Sequence, residues 1–130
     1  MRKAVYFDSS AVLSLLKGDK SVLRIIEDAP DFYTGVIPYS ELLGAQELLK
    51  EKKSKGFDLS MLFNSLKILE LGIEDARKAA EIMAKLKNEG KEIFEEEAFC
   101  VAQCINRNLV LVTKDRGMGK FKGLVEIEFI

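Results

Sequence analysis

Acidic residues recur in this chain where strand-like patterns end and helix-like patterns begin. Asp8 follows the apolar stretch at residues 4–7 and precedes two serines and an apolar helix pattern. In an open parallel sheet, ligands bind outside the carboxyl ends of the strands. Asp8 therefore stands where a catalytic carboxylate could act, although an Asp before a helix is also an ordinary N-cap.

Three further acids occupy comparable places. Glu41 lies in the first turn of the helix after the second strand, and Asp115 comes just after the fourth strand. Glu97 lies in the first turn of the helix before that strand, so only the start of its helix can be near the same edge. We expect Asp8, Glu41 and Asp115 to be neighbours at the carboxyl edge of the sheet. Taken singly, each acid is also a common cap or turn residue.

The chain contains no histidine. This excludes Ser-His-Asp and Cys-His nucleophile systems and every zinc site that uses His. Catalysis must then use carboxylates, hydroxyls, lysines or a hard metal ion. Because clustered carboxylates repel one another, they favour a cation that prefers oxygen ligands, Mg²⁺ or Mn²⁺. Such a centre can activate water and stabilise the charge of an in-line phosphoryl transfer.

Strand and helix patterns alternate along the chain and must position these acids. Predicted strands cover residues 4–7, 32–37, 66–71, 109–113 and 124–130, and predicted helices cover residues 11–17, 19–28, 38–51, 59–65, 73–87 and 94–106. This alternation predicts an α/β fold, a mainly parallel sheet covered by helices on both faces. The unbroken apolar run at residues 109–113 is typical of a strand buried on both faces.

Local signals set the ends and faces of several helices. Asp19 is predicted to cap the second helix, Pro38 to open the third, and Asp58 to cap the short helix at residues 59–65. The basic run at residues 50–56 is predicted to be a solvated loop. In the helix at residues 73–87, apolar spacing predicts an inward face formed by Ala76, Ala79, Ala80, Met83 and Leu86.

Length and composition indicate one globular domain over residues 1–130, with 48% hydrophobic and 32% charged residues. No apolar run approaches the length of a membrane span, and no signal region precedes the first strand, so we expect a cytoplasmic protein without membrane contact. The net charge of −1 excludes a chain-wide basic field. Cys100 and Cys104, four residues apart in a helix pattern, are expected to be free, buried thiols.

The chain resembles the PIN domain family, which includes VapC-type toxins and related metal-dependent ribonucleases. The resemblance covers essentially the whole chain and lies in four acidic motifs whose order and spacing match: residues 6–10, 39–42, 97–104 and 111–115. It implies a three-layer α/β/α sandwich that hydrolyses RNA phosphodiesters with Mg²⁺ or Mn²⁺. By this resemblance, the metal-binding and catalytic acids are Asp8, Glu41, Glu97 and Asp115, supported by the hydroxyls of Ser9 and Thr113.

One position departs from the family pattern. The third acid is usually Asp, whereas this chain has Glu97, preceded by Glu95 and Glu96. Glutamate places its carboxylate one methylene further from the backbone. Glu96 is the alternative ligand if the helix begins one residue differently.

Basic residues follow the fourth strand and extend the motif around Asp115. With Arg107 just before the strand, they are Lys114, Arg116, Lys120 and Lys122. We interpret the four after the strand as candidate RNA contacts, because lysine and arginine bind the phosphates that position a nucleic acid. The alternative interpretation is a solvated turn.

The resemblance implies an endoribonuclease that acts as the toxin of a toxin–antitoxin pair. It also implies a cognate antitoxin protein as inhibitor and a homodimer. RNA-processing nucleases that are not toxins share the fold. The alternative from another class is a catalytically inactive PIN-like binding or scaffold module, which the glutamate at position 97 favours and which weak or absent metal binding would support.

Overall fold

Five strands form one sheet in the computed structural model, which describes residues 2–51, 59, 60, 64 and 66–130. The strands are β1 (Val5–Phe7), β2 (Phe32–Gly35), β3 (Lys67–Leu69), β4 (Val110–Thr113) and β5 (Ile127–Phe129). Their order across the sheet is β3-β2-β1-β4-β5, and every neighbouring pair is parallel. The predicted α/β/α fold is confirmed, with β1 at the centre of the sheet.

Helices connect the strands and cover both faces of the sheet. They are α1 (Ser9–Leu16), α2 (Lys20–Asp28), α3 (Val36–Glu51), α4 (Ile73–Asn88), α5 (Glu95–Arg107) and a 3₁₀ helix (Arg116–Phe121). Among the helices formed by the described residues, none has the length and apolar character needed to cross a membrane.

Alternating side chains of the central strand divide the core into two parts. Val5 and Phe7 pack with buried residues of α1, α2 and α3, whereas Tyr6 packs with those of α4 and α5. Side chains on successive strand residues point to opposite faces, so this division follows from the period of two. The four residues of β4 are all buried, which confirms the strand predicted to be covered on both faces.

Several predicted boundaries differ from the structure. Strand β2 ends at Gly35 and α3 begins at Val36, so Pro38 is the third helical residue and does not open the helix. Asp19 occupies the N-cap position of α2, but its side chain makes no capping hydrogen bond. The predicted Asp58 cap lies outside the described residues, as does most of the predicted 59–65 helix and of the basic run at residues 50–56.

The inward face of α4 was predicted wrongly in part. Ala79 and Leu86 are buried as expected, but Ala76 and Ala80 are exposed, and Asp75 is buried in their place. A buried carboxylate needs charged or hydrogen-bonding partners. These come from α5, whose Arg107 guanidinium lies 2.8 Å from Asp75 Oδ1.

Both cysteines of α5 are free and buried, as predicted. Burial raises the pKa of the Cys100 thiol to about 12 and raises that of Cys104 well above its usual value. The thiols therefore remain protonated and pack as small apolar groups.

Candidate active site

The Asp8 carboxylate occupies the carboxyl end of the central strand, where the chain turns into α1. Asp8 is the N-cap of α1, and its Oδ1 accepts a hydrogen bond of 3.0 Å from the backbone N–H of Ala11. The same oxygen accepts one of 2.6 Å from the Ser10 hydroxyl, and Oδ2 accepts another from the Thr113 hydroxyl. A carboxylate offers about four acceptor positions, so Asp8 keeps one for a further partner.

Hydroxyl groups tie Asp8 to the end of β4. The Thr113 hydroxyl donates to Asp8 and accepts from the backbone N–H of Asp115 at 3.0 Å. The Ser10 hydroxyl donates to Asp8 and accepts from the backbone N–H of Lys114 at 2.9 Å. The Thr113 hydroxyl thus bridges the backbone N–H of Asp115 and the Asp8 carboxylate.

The Asp115 side chain itself is exposed and caps the following turn. Its Oδ1 accepts a hydrogen bond of 2.9 Å from the backbone N–H of Gly117. This is the turn-capping role that the sequence also allowed. The second carboxylate oxygen has no hydrogen bond among those described for Asp115.

Glu41, in α3, lies within electrostatic reach of two other acids. Partial desolvation is the largest cause that raises the pKa of Glu41, and the negative charges of Glu96 and Asp8 raise it further. A hydrogen bond from the Ser9 side chain opposes these effects. Like charges disfavour ionisation of a neighbouring acid, so the direction of this shift is consistent with Glu41 lying within electrostatic range of Glu96 and Asp8.

Glu97 makes contacts different from those predicted for a metal ligand. Its Oε1 accepts a hydrogen bond of 3.1 Å from the backbone N–H of Phe94 and lies 2.7 Å from the Lys120 ammonium. Because α5 begins at Glu95, Glu97 is the third helical residue, where a glutamate reaches back to cap the helix start. The preceding glutamate, Glu96, is the one whose charge acts on Glu41.

The candidate RNA contacts lie around the acidic edge with different partners. Lys114 is 3.9 Å from Asp19, and Lys120 binds both Glu97 and the backbone carbonyl of Glu92. Arg116 and Lys122 both lie over the ring of Phe129, at 4.9 and 5.3 Å from its centroid. Arg107, at the other end of α5, is bound to Asp75 of α4.

A buried hydrogen-bonded layer supports this edge of the sheet from below. The Tyr6 hydroxyl donates to Gln103 Oε1 at 2.7 Å, and Gln103 Nε2 donates to the carbonyls of Leu69 and Glu70. Burial is the main cause that raises the pKa of Tyr6 far above its usual value, so its hydroxyl remains a donor. Gly35 packs against both side chains, which leave no room for a Cβ.

Taken together, the structure places Asp8, Ser9, Glu41 and Thr113 at one edge, with the Asp115 backbone joined to them. It assigns Ser10 a role that sequence analysis missed, although the two adjacent hydroxyls after Asp8 were the available signal. Within the described residues, no three or more acidic or cysteine side chains are arranged so that they could already hold a metal ion. The donors present are nevertheless carboxylate oxygens with mutual repulsion, which is the chemistry that Mg²⁺ or Mn²⁺ would offset.

Comparison with known protein families gives one match, to the PIN domain, over residues 5–124. The chain belongs to the PIN domain family. None of the curated protein sequences compared with this PIN domain matches it.

Solved structures with the same fold include three that are named VapBC, one of them as a member of the VapBC family of toxin–antitoxin systems. A chain of VapBC2 from Rickettsia felis, bound to a DNA fragment from its promoter, has a TM-score of 0.79 at 15% identity, with 98% of each chain covered. DNA-bound VapBC from Salmonella typhimurium has a TM-score of 0.77 at 20% identity, again with 98% of each chain covered. VapBC-5 from Mycobacterium tuberculosis has a TM-score of 0.71 at 21% identity, with 98% of this chain and 97% of that chain covered. At these identities the likeness establishes a shared fold.

Proposed function

We propose that this PIN domain is an endoribonuclease that depends on a divalent metal ion and acts as the toxin of a toxin–antitoxin pair. The single observation that carries the proposal is the Asp8 carboxylate at the carboxyl end of the central strand, held by the hydroxyls of Ser10 and Thr113 with one acceptor position left for a further partner. The negative charges of Glu96 and Asp8, which act with desolvation to raise the pKa of Glu41, support it. PIN domains are generally nucleases that use divalent metals, which supports the reaction class.

The metal site in this proposal consists of Asp8, Glu41 and Glu96, with Asp115 at its exposed side. Glu96 replaces Glu97, the acid expected from the family pattern, because Glu97 is held by Phe94 N–H and Lys120. When bound, Mg²⁺ or Mn²⁺ supplies charge stabilisation and an activated water for phosphodiester hydrolysis. Thr113 and Ser10 fix the orientation of Asp8, since each donates to one of its carboxylate oxygens.

The toxin role and its partners draw support from the solved relatives. Two of them are named as toxin–antitoxin systems: VapBC-5 and a complex from Klebsiella pneumoniae, the latter with a TM-score of 0.71 at 17% identity. We propose a cognate antitoxin as inhibitor and a homodimer as the assembled form. Light scattering of the purified chain tests the homodimer, and RNA hydrolysis assays with and without a candidate antitoxin test the inhibitor.

Calorimetric titration of Mn²⁺ and an RNA hydrolysis assay test the proposed reaction together. The informative variant is Asp8→Asn, because asparagine keeps the N-cap of α1 while it removes the charge. We expect Mn²⁺ binding to disappear and hydrolysis to fall by more than the roughly 10- to 100-fold typical for loss of an outer-shell partner. Asp28→Asn is the matched control, since Asp28 ends the helix that leads to the opposite edge of the sheet.

A specific observation favours one alternative function, an inactive binding or scaffold module. The ion pair between Glu97 and Lys120 occupies the acid that the family pattern assigns to the metal. This alternative predicts no Mn²⁺ binding to the wild-type chain and no metal-dependent hydrolysis. Metal binding that is unaffected by Asp8→Asn would also contradict the proposed centre.

A further inference from the structure

An aromatic ring lies in solvent beside the acidic edge. Phe94 immediately precedes α5, and its side chain is 51% exposed. The Lys120 ammonium lies 5.6 Å from the centroid of this ring. Glu96, one of the converging acids, is only two residues further along the chain. The exposed ring beside an ammonium group presents a flat apolar face to solvent, on which a planar group can stack.

A cleft lined by lysines adjoins Phe94, and we call it the lysine cleft. Its volume is about 230 Å³, and its lining comprises Lys85, Leu86, Glu89, Lys91, Lys120, Lys122, Gly123 and Leu124. Four lysines and one glutamate line it, and Lys120 is also paired with Glu97 at 2.7 Å, so the four positive charges less the two carboxylates leave a local charge of +2, although the whole chain carries −1. The carboxylate that lines the cleft, Glu89, lies between Lys85 and Lys91 at 3.5 and 3.3 Å. The cleft is therefore a local site of positive charge.

Lys120 joins the ring to the cleft. Its ammonium lies over Phe94, pairs with Glu97 at 2.7 Å and binds the Glu92 carbonyl at 3.0 Å, and the side chain also lines the lysine cleft. The side chain is 19% exposed, so its position is fixed by these partners. An aromatic face and a row of ammonium groups are thus presented side by side, next to the start of α5.

We propose that Phe94 and the lysine cleft bind a single-stranded stretch of RNA that flanks the position of cleavage. One base stacks on the Phe94 ring, and the adjoining phosphates lie along the lysine cleft. Only an unstacked base can reach a side chain in this way, which selects single strands over duplexes. The identity of the nucleic acid as RNA rests on the proposed function.

Fluorescence provides a direct test because the chain contains no tryptophan. Phe94→Trp introduces one reporter in the proposed stacking position, and the backbone bonds of residue 94 to Glu97 are retained. Ile73→Trp is the matched control. Ile73 is 73% exposed and lies at the start of α4, far from the start of α5 where Phe94 is located. The probe is a short single-stranded oligoribonucleotide in EDTA at low salt, where no hydrolysis occurs.

We expect saturable quenching of the tryptophan at position 94 and no quenching at position 73. Phe94→Ala should weaken RNA affinity by about tenfold, as is usual for loss of one base–aromatic stack. Phe94→Leu should weaken it similarly, because leucine is apolar but offers no stacking face. Binding weakens as salt rises, and the slope of log affinity against log salt concentration measures this. In the double variant Lys85→Gln and Lys91→Gln, the slope should become less steep by about 0.7 for each phosphate that the lysines no longer neutralise.

Two results would overturn the proposal. One is RNA binding with no quenching at position 94 and unchanged affinity in Phe94→Ala, which would indicate that the exposed ring serves a protein partner. The other is equal quenching by duplex RNA of the same sequence. Either result can occur while Asp8-dependent hydrolysis is observed. Conversely, RNA can quench the tryptophan at position 94 when hydrolysis is absent. Failure of the proposed stacking site is therefore distinct from failure of the proposed nuclease activity.

Discussion

The Thr113 hydroxyl donates a hydrogen bond to Asp8 Oδ2, which joins two residues 105 positions apart at one point of the sheet edge. Strands β1 and β4 are parallel neighbours, with Phe7 opposite Val112, so Asp8, which follows β1, and Thr113, the last residue of β4, are brought to the same level. Thr113 is fully buried, whereas its acceptor is only partly buried. The fold thus holds the Asp8 carboxylate by a buried hydroxyl that solvent cannot replace.

Thr113→Val should impair the proposed reaction while the fold remains. Valine keeps the shape of threonine but loses both the bond to Asp8 and the bond from the Asp115 N–H. We expect RNA hydrolysis and Mn²⁺ affinity to fall roughly 10- to 100-fold, as for other groups that orient metal-binding carboxylates. Stability should fall by only about 1–3 kcal/mol, the cost of an unpaired buried polar group.

Thr113→Ser is the control for this prediction, since serine restores the hydroxyl. Steady-state hydrolysis, calorimetry and urea unfolding of the three proteins would separate orientation from stability. Activity that follows the loss of stability, with Thr113→Ser as impaired as Thr113→Val, would contradict an orienting role.

Much of the site could be predicted because it depends on strand ends. The apolar run at residues 109–113 fixes β4 and therefore the position of Thr113, and the pattern before Asp8 fixes β1. The distinction between Glu96 and Glu97 was not accessible in the same way. It depends on whether α5 begins at residue 95, which sets the residue that caps the helix and the one that faces Glu41.

Glu96→Gln and Glu97→Gln should separate the two neighbouring glutamates. The charges of Glu96 and Asp8, together with desolvation, raise the pKa of Glu41. Removal of the Glu96 charge should lower that pKa towards its usual value, whereas Glu97→Gln should leave it nearly unchanged. Titration of the Glu41 carboxyl carbon by NMR, without metal, measures this shift.

The same pair of variants should differ in metal binding. Glu41 must lose its proton to bind a cation, so the Mn²⁺ affinity of the wild type should fall as pH decreases through the raised pKa. In Glu96→Gln, this fall should begin at lower pH and the affinity at neutral pH should be reduced. Equal effects of the two substitutions would show that Glu97 shares the metal site.

Asp75→Asn should destabilise the packing of α4 against α5. Burial tends to raise the pKa of Asp75, but hydrogen bonds from Arg107, the Gly72 N–H and Asn106 lower it to about 2. Removal of one partner from a buried ion pair typically costs about 3–5 kcal/mol. We therefore expect the free energy of unfolding at pH 7 to fall by an amount near the lower end of this range, because Arg107 is one-third exposed and can be hydrated. Urea unfolding measures it.

Acid should remove the contribution of Asp75. Its pKa in the folded state lies below the usual value of 3.8, so the stabilisation is complete above that value and disappears as pH falls towards about 2. The difference between wild type and Asp75→Asn should shrink over this range. Glu74→Gln is the control, since Glu74 is exposed and, among the residues that the structure describes, forms its ion pair with Arg77 on the same helix. A difference independent of pH would contradict the ion-pair explanation.

The burial of Asp75 also shows where sequence patterns fail. Spacing on α4 alone favoured Ala76 and Ala80 for the inward face, because both are apolar and Asp75 is charged. Its partner Arg107 lies 32 residues away in sequence. A buried ion pair between two helices cannot be read from the period of either one.

Gly35→Ala should destabilise the layer beneath the acidic edge. A Cβ at position 35 would overlap both Gln103 Oε1 and the Tyr6 hydroxyl, which are hydrogen-bonded to each other. Gln103 is fully buried and also holds the carbonyls of Leu69 and Glu70, so it cannot move without loss of those bonds. Overpacking of a tight core typically costs about 1–3 kcal/mol.

A double-mutant cycle with Tyr6→Phe tests this explanation, because phenylalanine removes one of the two overlapping atoms. Gly35→Ala should cost less in the Tyr6→Phe background than in the wild type, with a coupling of about 0.5–3 kcal/mol measured by urea unfolding. Gly44→Ala is the control for a glycine replaced inside α3, where a Cβ meets no atom within 4 Å. Additive effects of Gly35→Ala and Tyr6→Phe would show that the contact with the Tyr6 hydroxyl does not restrict position 35.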